Sequence, residues 1–138
     1  MKRFHIVLVE DSEADVILVR HALAAQGLDF HLEVLADGEE AVEYVARLDT
    51  DENSTCPDVI LLDLNLPKLS GDHVLGRVRH SRRCSRTPVI ILTSSGSPRD
   101  KAEAARLGAT HYFQKPSRLE EFMKIGGVVL EILGSKNA

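Results

Sequence analysis

Short apolar runs and longer amphipathic stretches alternate along the chain. The runs lie at residues 4–9, 31–35, 59–62, 89–92 and, more weakly, 110–113. Ile6-Val7-Leu8-Val9, Val59-Ile60-Leu61-Leu62 and Val89-Ile90-Ile91-Leu92 are continuously apolar. Strands buried on both faces of a parallel sheet read this way, whereas a half-exposed strand alternates. The run at 31–35 alternates more, which places it nearer a sheet edge. Between the runs the period becomes helical. Val16, Val19 and Leu23 share one face before Gly27, and Ala41, Val42, Val45 and Leu48 share another behind Asp37-Gly38. Val74, Leu75 and Val78 mark a short third helix, residues 99–107 a fourth that stops at Gly108.

A fifth helix is expected over 117–133, with Ser117 as N-cap and Glu120 three residues on. Gly126-Gly127 inside it is unusual, since each glycine costs roughly 1 kcal/mol against alanine. Either something packs closely there or the helix bends. The order βαβαβαβαβα predicts a parallel sheet with helices on both faces and right-handed crossovers. Residues 49–57 read as a long polar loop. With 138 residues and neither repeat nor linker, the chain reads as a single domain over 1–138, its core at about 4–133.

Composition narrows the class. The hydrophobic fraction is 43% and the charged fraction 28%, as in a globular protein. Seventeen Lys and Arg against 21 Asp and Glu leave a net charge of −4, which speaks against direct nucleic-acid binding. No apolar stretch approaches a membrane span or a secretory signal. Cys56 and Cys84 cannot make a disulfide framework or a zinc site alone, so a cytoplasmic protein with free thiols is expected. Arg77, Arg79, Arg82, Arg83, Arg86 and His80 form a basic cluster, expected as a solvated helix end or, second, a docking patch for an acidic partner. The six histidines show no metal spacing.

In open α/β sheets, ligands collect beyond the carboxyl ends of the strands. Glu10 and Asp11 follow the first run, Asp63 the third, Thr93 the fourth and Lys115 the fifth. Taken singly, each has a bland reading. Glu10-Asp11 could be a helix cap, and a lone Thr or Lys at a strand end is usually solvated. Together they converge three carboxylates, one hydroxyl and one ammonium on one rim. Converging carboxylates repel, and an oxygen-only site with several waters suits Mg²⁺, for which Mn²⁺ could substitute. Metal, ammonium and hydroxyl around a central carboxylate suit a phosphoryl group, with that carboxylate as nucleophile.

These residues resemble the receiver domain of two-component response regulators. The resemblance is carried by Val9-Glu10-Asp11, by Leu61-Leu62-Asp63-Leu64-Asn65-Leu66-Pro67 with Gly71, by Leu92-Thr93-Ser94, and by Gly108-Ala109 with Tyr112-Phe113-Gln114-Lys115-Pro116. It implies a flavodoxin-like doubly wound (βα)5 fold with strand order 2-1-3-4-5. It further implies that Asp63 accepts phosphate from a phosphohistidine of a sensor histidine kinase. Asp11, Asp63 and the Asn65 backbone carbonyl would ligate Mg²⁺, with Glu10 direct or through a water. Lys115 would pair with Asp63 and then the phosphoryl group. Thr93 would move onto a phosphoryl oxygen, and Tyr112 would change rotamer. The Lys115–Pro116 bond would be cis. Slow self-catalysed dephosphorylation would follow, with Ser95 and Asn65 at the tuning positions.

The loop at 49–57, the phrase Leu-Leu-Asp-Leu-Asn-Leu-Pro-Lys and the tail Lys-Pro-Ser-Arg-Leu-Glu-Glu-Phe are similar to single-domain regulators that serve phytochrome-type kinases. That subfamily commonly forms homodimers. The expected function is therefore a stand-alone phosphoacceptor, not an enzyme, that switches the surface of the fourth helix, fifth strand and fifth helix. Two alternatives stay open from sequence. One is a scaffold that never takes up phosphate. The other is a haloacid-dehalogenase-type phosphatase, which wants a second Asp two residues after the nucleophile, where Asn65 stands.

Overall fold

The computed structural model describes residues 2–136. The expected element order is present: β1 (Phe4–Val9), α1 (Glu13–Ala25), β2 (Phe30–Leu35), α2 (Gly38–Thr50), β3 (Val59–Leu62), α3 (Gly71–Arg79), β4 (Val89–Thr93), α4 (Pro98–Arg106), β5 (His111–Gln114), α5 (Leu119–Phe122) and α6 (Ile125–Lys136). The five strands are parallel in the order β2-β1-β3-β4-β5.

Register decides which side chains reach which layer. Pairing Ile6 with Val59 and Ile60 with Val89 aligns the three apolar strands so that alternate residues share a face. Val7, Val9, Ile60, Leu62, Val89 and Ile91 meet α2 and α3 with Ala104 of α4. Ile6, Leu8, Val59, Leu61, Ile90 and Leu92 meet α1, α5 and α6 through Val19, Leu23, Phe122, Ile125 and Val129. The three central strands are thus buried on both sides, which is why they lack polar alternation. Side-chain caps start four helices: Ser12 on α1, Asp37 on α2, Ser70 on α3 and Ser97 on α4.

Five expectations change, the smallest being that Asp49 and Thr50 belong to α2, so the polar loop expected over 49–57 starts at Asp51. The fifth helix is two, α5 and α6, separated at Met123 and Lys124, and α5 begins after Arg118 without a side-chain cap, so Ser117 is not the N-cap. Gly126 resolves its own puzzle. A Cβ there would strike the Ala22 carbonyl oxygen of α1 and the Gln26 side chain, so the glycine lets α6 lie directly on the α1 backbone. Of the two readings, close packing holds at Gly126, while α6 runs unbroken through the glycine pair and the interruption falls before it, at Met123-Lys124. At Gly127, by contrast, a Cβ meets nothing within 4 Å.

The cysteines are not free, because Cys56 and Cys84 form a disulfide. They are 28 residues apart in sequence, and the fold brings the loop before β3 beside the segment before β4. The basic cluster is a solvated helix end only in part: His80, Arg82 and Arg86 are exposed, whereas Arg77, Arg79 and Arg83 are tied into the fold. Arg79 donates to the carbonyls of Gly108, Ser85 and Thr87, and Arg83 to those of Leu48, Asp51 and Ser54. Arg77 pairs with Asp49 at 3.1 Å. Loop carbonyls that no ladder satisfies need donors, and these guanidiniums supply them. Finally, no peptide bond among the described residues is cis, so Lys115–Pro116 is trans, the form an X–Pro bond favours by about 0.5–1 kcal/mol. The Lys115 amide donates to the Thr93 carbonyl at 2.7 Å, which extends the β4–β5 pairing and already sets where the side chain starts.

Candidate phosphoacceptor site

The carboxyl ends of β1, β3, β4 and β5 deliver the expected side chains to one rim. Glu10 follows β1 directly, and its amide donates to the Leu35 carbonyl, which holds the turn to α1. Asp63 follows β3, its amide bonded to the Val9 carbonyl at 3.2 Å. The start of α3 presses on the loop beyond. Gly71 donates to the Leu64 carbonyl, and a Cβ at Gly71 would strike the Asp63 carbonyl oxygen. Glycine is therefore what allows α3 to back the Asp63 loop.

Lys115 sits at the centre. Its Nζ lies 2.6 Å from Glu10 Oε2, 2.7 Å from Asp15 Oδ2 and 3.0 Å from Asp63 Oδ2. Its side chain is 11% exposed, so these are partly desolvated, charge-assisted bonds. Burial opposes the ammonium, but hydrogen bonds to Asp15, Glu10 and Asp63 outweigh it and hold the lysine pKa above its ordinary value. Burial pushes the Glu10 carboxyl up, and the nearby Asp63 charge adds to it, while the Lys115 contact opposes without overcoming them. The longer glutamate reaches Lys115 with one oxygen and takes the Ser12 amide with the other at 3.2 Å.

Asp63 uses its second oxygen to accept the Asn65 amide at 3.0 Å. The Asn65 side-chain amide donates to Thr93 Oγ1 at 3.4 Å, and the Ser95 amide reaches the same hydroxyl at 3.4 Å. Thr93 is fully buried. Tyr112 stands further out on β5 and donates to the Ser95 carbonyl at 2.9 Å, its ring facing Lys101 of α4. All of the expected side chains thus lie in one neighbourhood, with Tyr112 linked through Ser95. The sequence reading missed Asp15. It stands in the first turn of α1, where an acid is ordinary, so the sequence did not single it out.

Oxygen atoms of Glu10, Asp11 and Asp63 lie within 4.8 Å of one another. With Asp15 they make four carboxylates in one neighbourhood, three of them on Lys115. The donors are oxygens only, Asp11 is exposed, and the charge is unbalanced, so the residues fit a hard divalent cation.

Residues 6–125 match the response regulator receiver domain family. The chain belongs to that family. It is 38% identical over 120 residues to response regulator Rcp1 of Synechocystis sp., covering 87% of this chain and 82% of that protein. Among solved structures, the phosphorylated cyanobacterial phytochrome response regulator RcpA superposes with a TM-score of 0.86 at 33% identity, covering 98% of this chain and 96% of that one. The Mn²⁺-bound form of Rcp1 follows at 0.81 and 36%, covering 91% of each. A receiver is a phosphoacceptor in two-component signalling and receives its phosphoryl group from a histidine kinase or another phosphodonor. A Mn²⁺-bound relative and the acidic triad here agree on divalent metal binding.

Proposed function

We propose that this receiver acts as a stand-alone regulator that takes a phosphoryl group onto Asp63. Its donor is the phosphohistidine of a sensor histidine kinase of the phytochrome type. The observation that carries the reading is the placement of Asp63, with one oxygen on Lys115, the other on the Asn65 amide, and the Glu10 and Asp11 carboxylates beside it. A carboxylate oxygen of Asp63 forms the new O–P bond as the N–P bond of the donor breaks, and the departing imidazole nitrogen takes a proton. Lys115 stays charged and balances the anionic phosphoryl oxygens.

Mg²⁺, held by Asp11, Asp63 and the Asn65 carbonyl with Glu10 direct or through water, would supply charge neutralisation at those oxygens. Thr93 leaves its contacts with Asn65 and Ser95 and donates its hydroxyl to a phosphoryl oxygen. Withdrawing it disturbs the segment at Ser95, whose carbonyl anchors Tyr112. Tyr112 then changes rotamer, which alters the face of α4, β5, α5 and α6 for partner binding or homodimerisation. The phosphoryl group is lost slowly by hydrolysis at the same site. The match to the cyanobacterial phytochrome response regulator RcpA favours the phytochrome-type kinase. Among the described residues no helix is long and apolar enough to cross a membrane.

The test is mass spectrometry after acetyl phosphate and Mg²⁺. One hydroxylamine-labile phosphoryl adduct is expected on the native chain and none on Asp63→Asn. Equal labelling of the variant would place the acceptor elsewhere, and no labelling of the native chain would favour a scaffold.

A further inference from the structure

The amino ends of the strands, opposite the phosphoacceptor rim, carry a second device. The loop before β3 is tied to the segment between α3 and β4 twice, once by the Cys56–Cys84 bond and once by hydrogen bonds around the residue next to Cys84. The Arg83 guanidinium donates to the carbonyls of Leu48, Asp51 and Ser54 and to Ser54 Oγ, at 2.5–2.8 Å. The Cys84 amide donates to Ser81 Oγ at 2.9 Å, and that hydroxyl donates to Asp49 at 2.6 Å. Asp49 also accepts the Arg83 amide. The non-covalent clasp grips residues 48–54 from one side and fixes the backbone of Cys84 from the other.

We propose that Cys56–Cys84 is a thiol–disulfide switch that sets the order of the 51–57 loop, and that the Arg83–Ser81–Asp49 clasp biases it toward the bridged state. Cys84 is 2% exposed and Cys56 is only partly covered, so exchange enters at the Cys56 sulfur. A thiolate of a cellular dithiol attacks that sulfur, and the S–S bond breaks. Cys84 leaves as a thiolate and takes a proton. The second thiol of the reductant attacks the mixed disulfide, and Cys56 leaves and is protonated in turn. Two electrons and two protons pass to the cysteine pair, and the reductant becomes a disulfide. Oxidation by a small disulfide runs the same steps backward.

The clasp and the bond must favour each other by the same factor. A clasp that holds the two segments together raises the effective concentration of one thiol at the other, and the bond in turn holds the clasp closed. In reducing cell interiors lasting disulfides are rare, so a bridged receiver would respond to the thiol balance around it.

The experiment equilibrates the full chain across ratios of reduced to oxidised glutathione and counts free cysteines by alkylation and mass spectrometry. It is repeated with Arg83→Met and, should that variant not fold, with Ser81→Ala. The native chain should be fully bridged without reductant, and each variant should open at a ratio about tenfold or more less reducing. Hydrogen exchange at 51–57 should rise several-fold on reduction, with exchange at 59–62 unchanged. Alkylation of both cysteines in the oxidised native chain would overturn the proposal. So would variants that open at the native ratio, or exchange at 51–57 that ignores reduction.

Discussion

Asp49 offers the cleanest quantitative test of how this fold is tied together. Its carboxylate accepts Ser81 Oγ at 2.6 Å, the Arg83 amide at 3.1 Å and Arg77 at 3.1 Å, while its backbone carbonyl takes Arg82 at 2.8 Å. Its side chain is 13% exposed. Burial by itself would raise the carboxyl, but the bonds from Ser81, Arg83 and Arg77 dominate and bring its pKa from 3.8 down to about 2. At about 1.4 kcal/mol per unit, that difference corresponds to about 2 kcal/mol of folding free energy, with residual solvent screening trimming it.

A carboxyl depressed in the folded state contributes its stability fully above the unfolded pKa and loses it as pH falls through the folded one. For Asp49 the loss falls between about pH 4 and pH 2. The assay is urea unfolding of the oxidised native chain and Asp49→Asn from about pH 7 to about pH 2. Other acids titrate in both proteins and cancel in the difference. At neutral pH the variant should be less stable by about 2 kcal/mol, and the gap should close toward the acid end. A gap that stays constant with pH would show that the asparagine loses packing or shape instead of charge, and would refute the argument.

The two glycines of α6 should respond with opposite signs. Gly126→Ala drives a methyl into the Ala22 carbonyl and should destabilise by about 1–3 kcal/mol, whereas Gly127→Ala should be neutral or stabilising by up to about 1 kcal/mol, both read by thermal and urea unfolding. Asp15→Ala removes one of three bonds to Lys115 but leaves the 3.0 Å contact to Asp63, so phosphoryl uptake from acetyl phosphate should stay within about tenfold of native. A larger loss would put Asp15 among the groups the reaction itself requires.

The strands were legible because burial on both faces leaves an unbroken apolar signature in Ile6–Val9, Val59–Leu62 and Val89–Leu92, and the rim followed from what stands after each strand. What stayed hidden depends on contacts between distant segments. Residues 117–133 keep helical apolar spacing throughout, so nothing local marks the turn at Met123-Lys124, and only the glycines hinted at it. The Cys56–Cys84 pairing needs the β3–β4 register to bring two loops together, information that spacing in the chain does not contain. Arg79 and Arg83 look like surface charge in a sequence because their partners are backbone carbonyls, which have no residue identity. Asp15 reads as an ordinary first-turn acid of α1, a place where carboxylates are favoured whatever else they do.

The two ends of the sheet carry opposite electrostatic loads. At the carboxyl end, Glu10, Asp15 and Asp63 surround one lysine and Asp11 stands beside Glu10 and Asp63, an arrangement in which four carboxylates face a single ammonium and which favours binding a cation and a phosphoryl group. At the amino end, Asp49 is surrounded by donors, and the disulfide closes a loop spanning 28 residues of sequence. A loop of that size restrains the unfolded chain by about 3–4 kcal/mol in the entropic account, and Asp49 adds about 2 kcal/mol. These contributions are a large share of the about 5–15 kcal/mol by which a domain is ordinarily stable. The amino-end ties touch none of the rim side chains. Loosening them should therefore lower stability without altering the chemistry at Asp63, whereas neutralising a rim carboxylate should alter that chemistry while relieving repulsion.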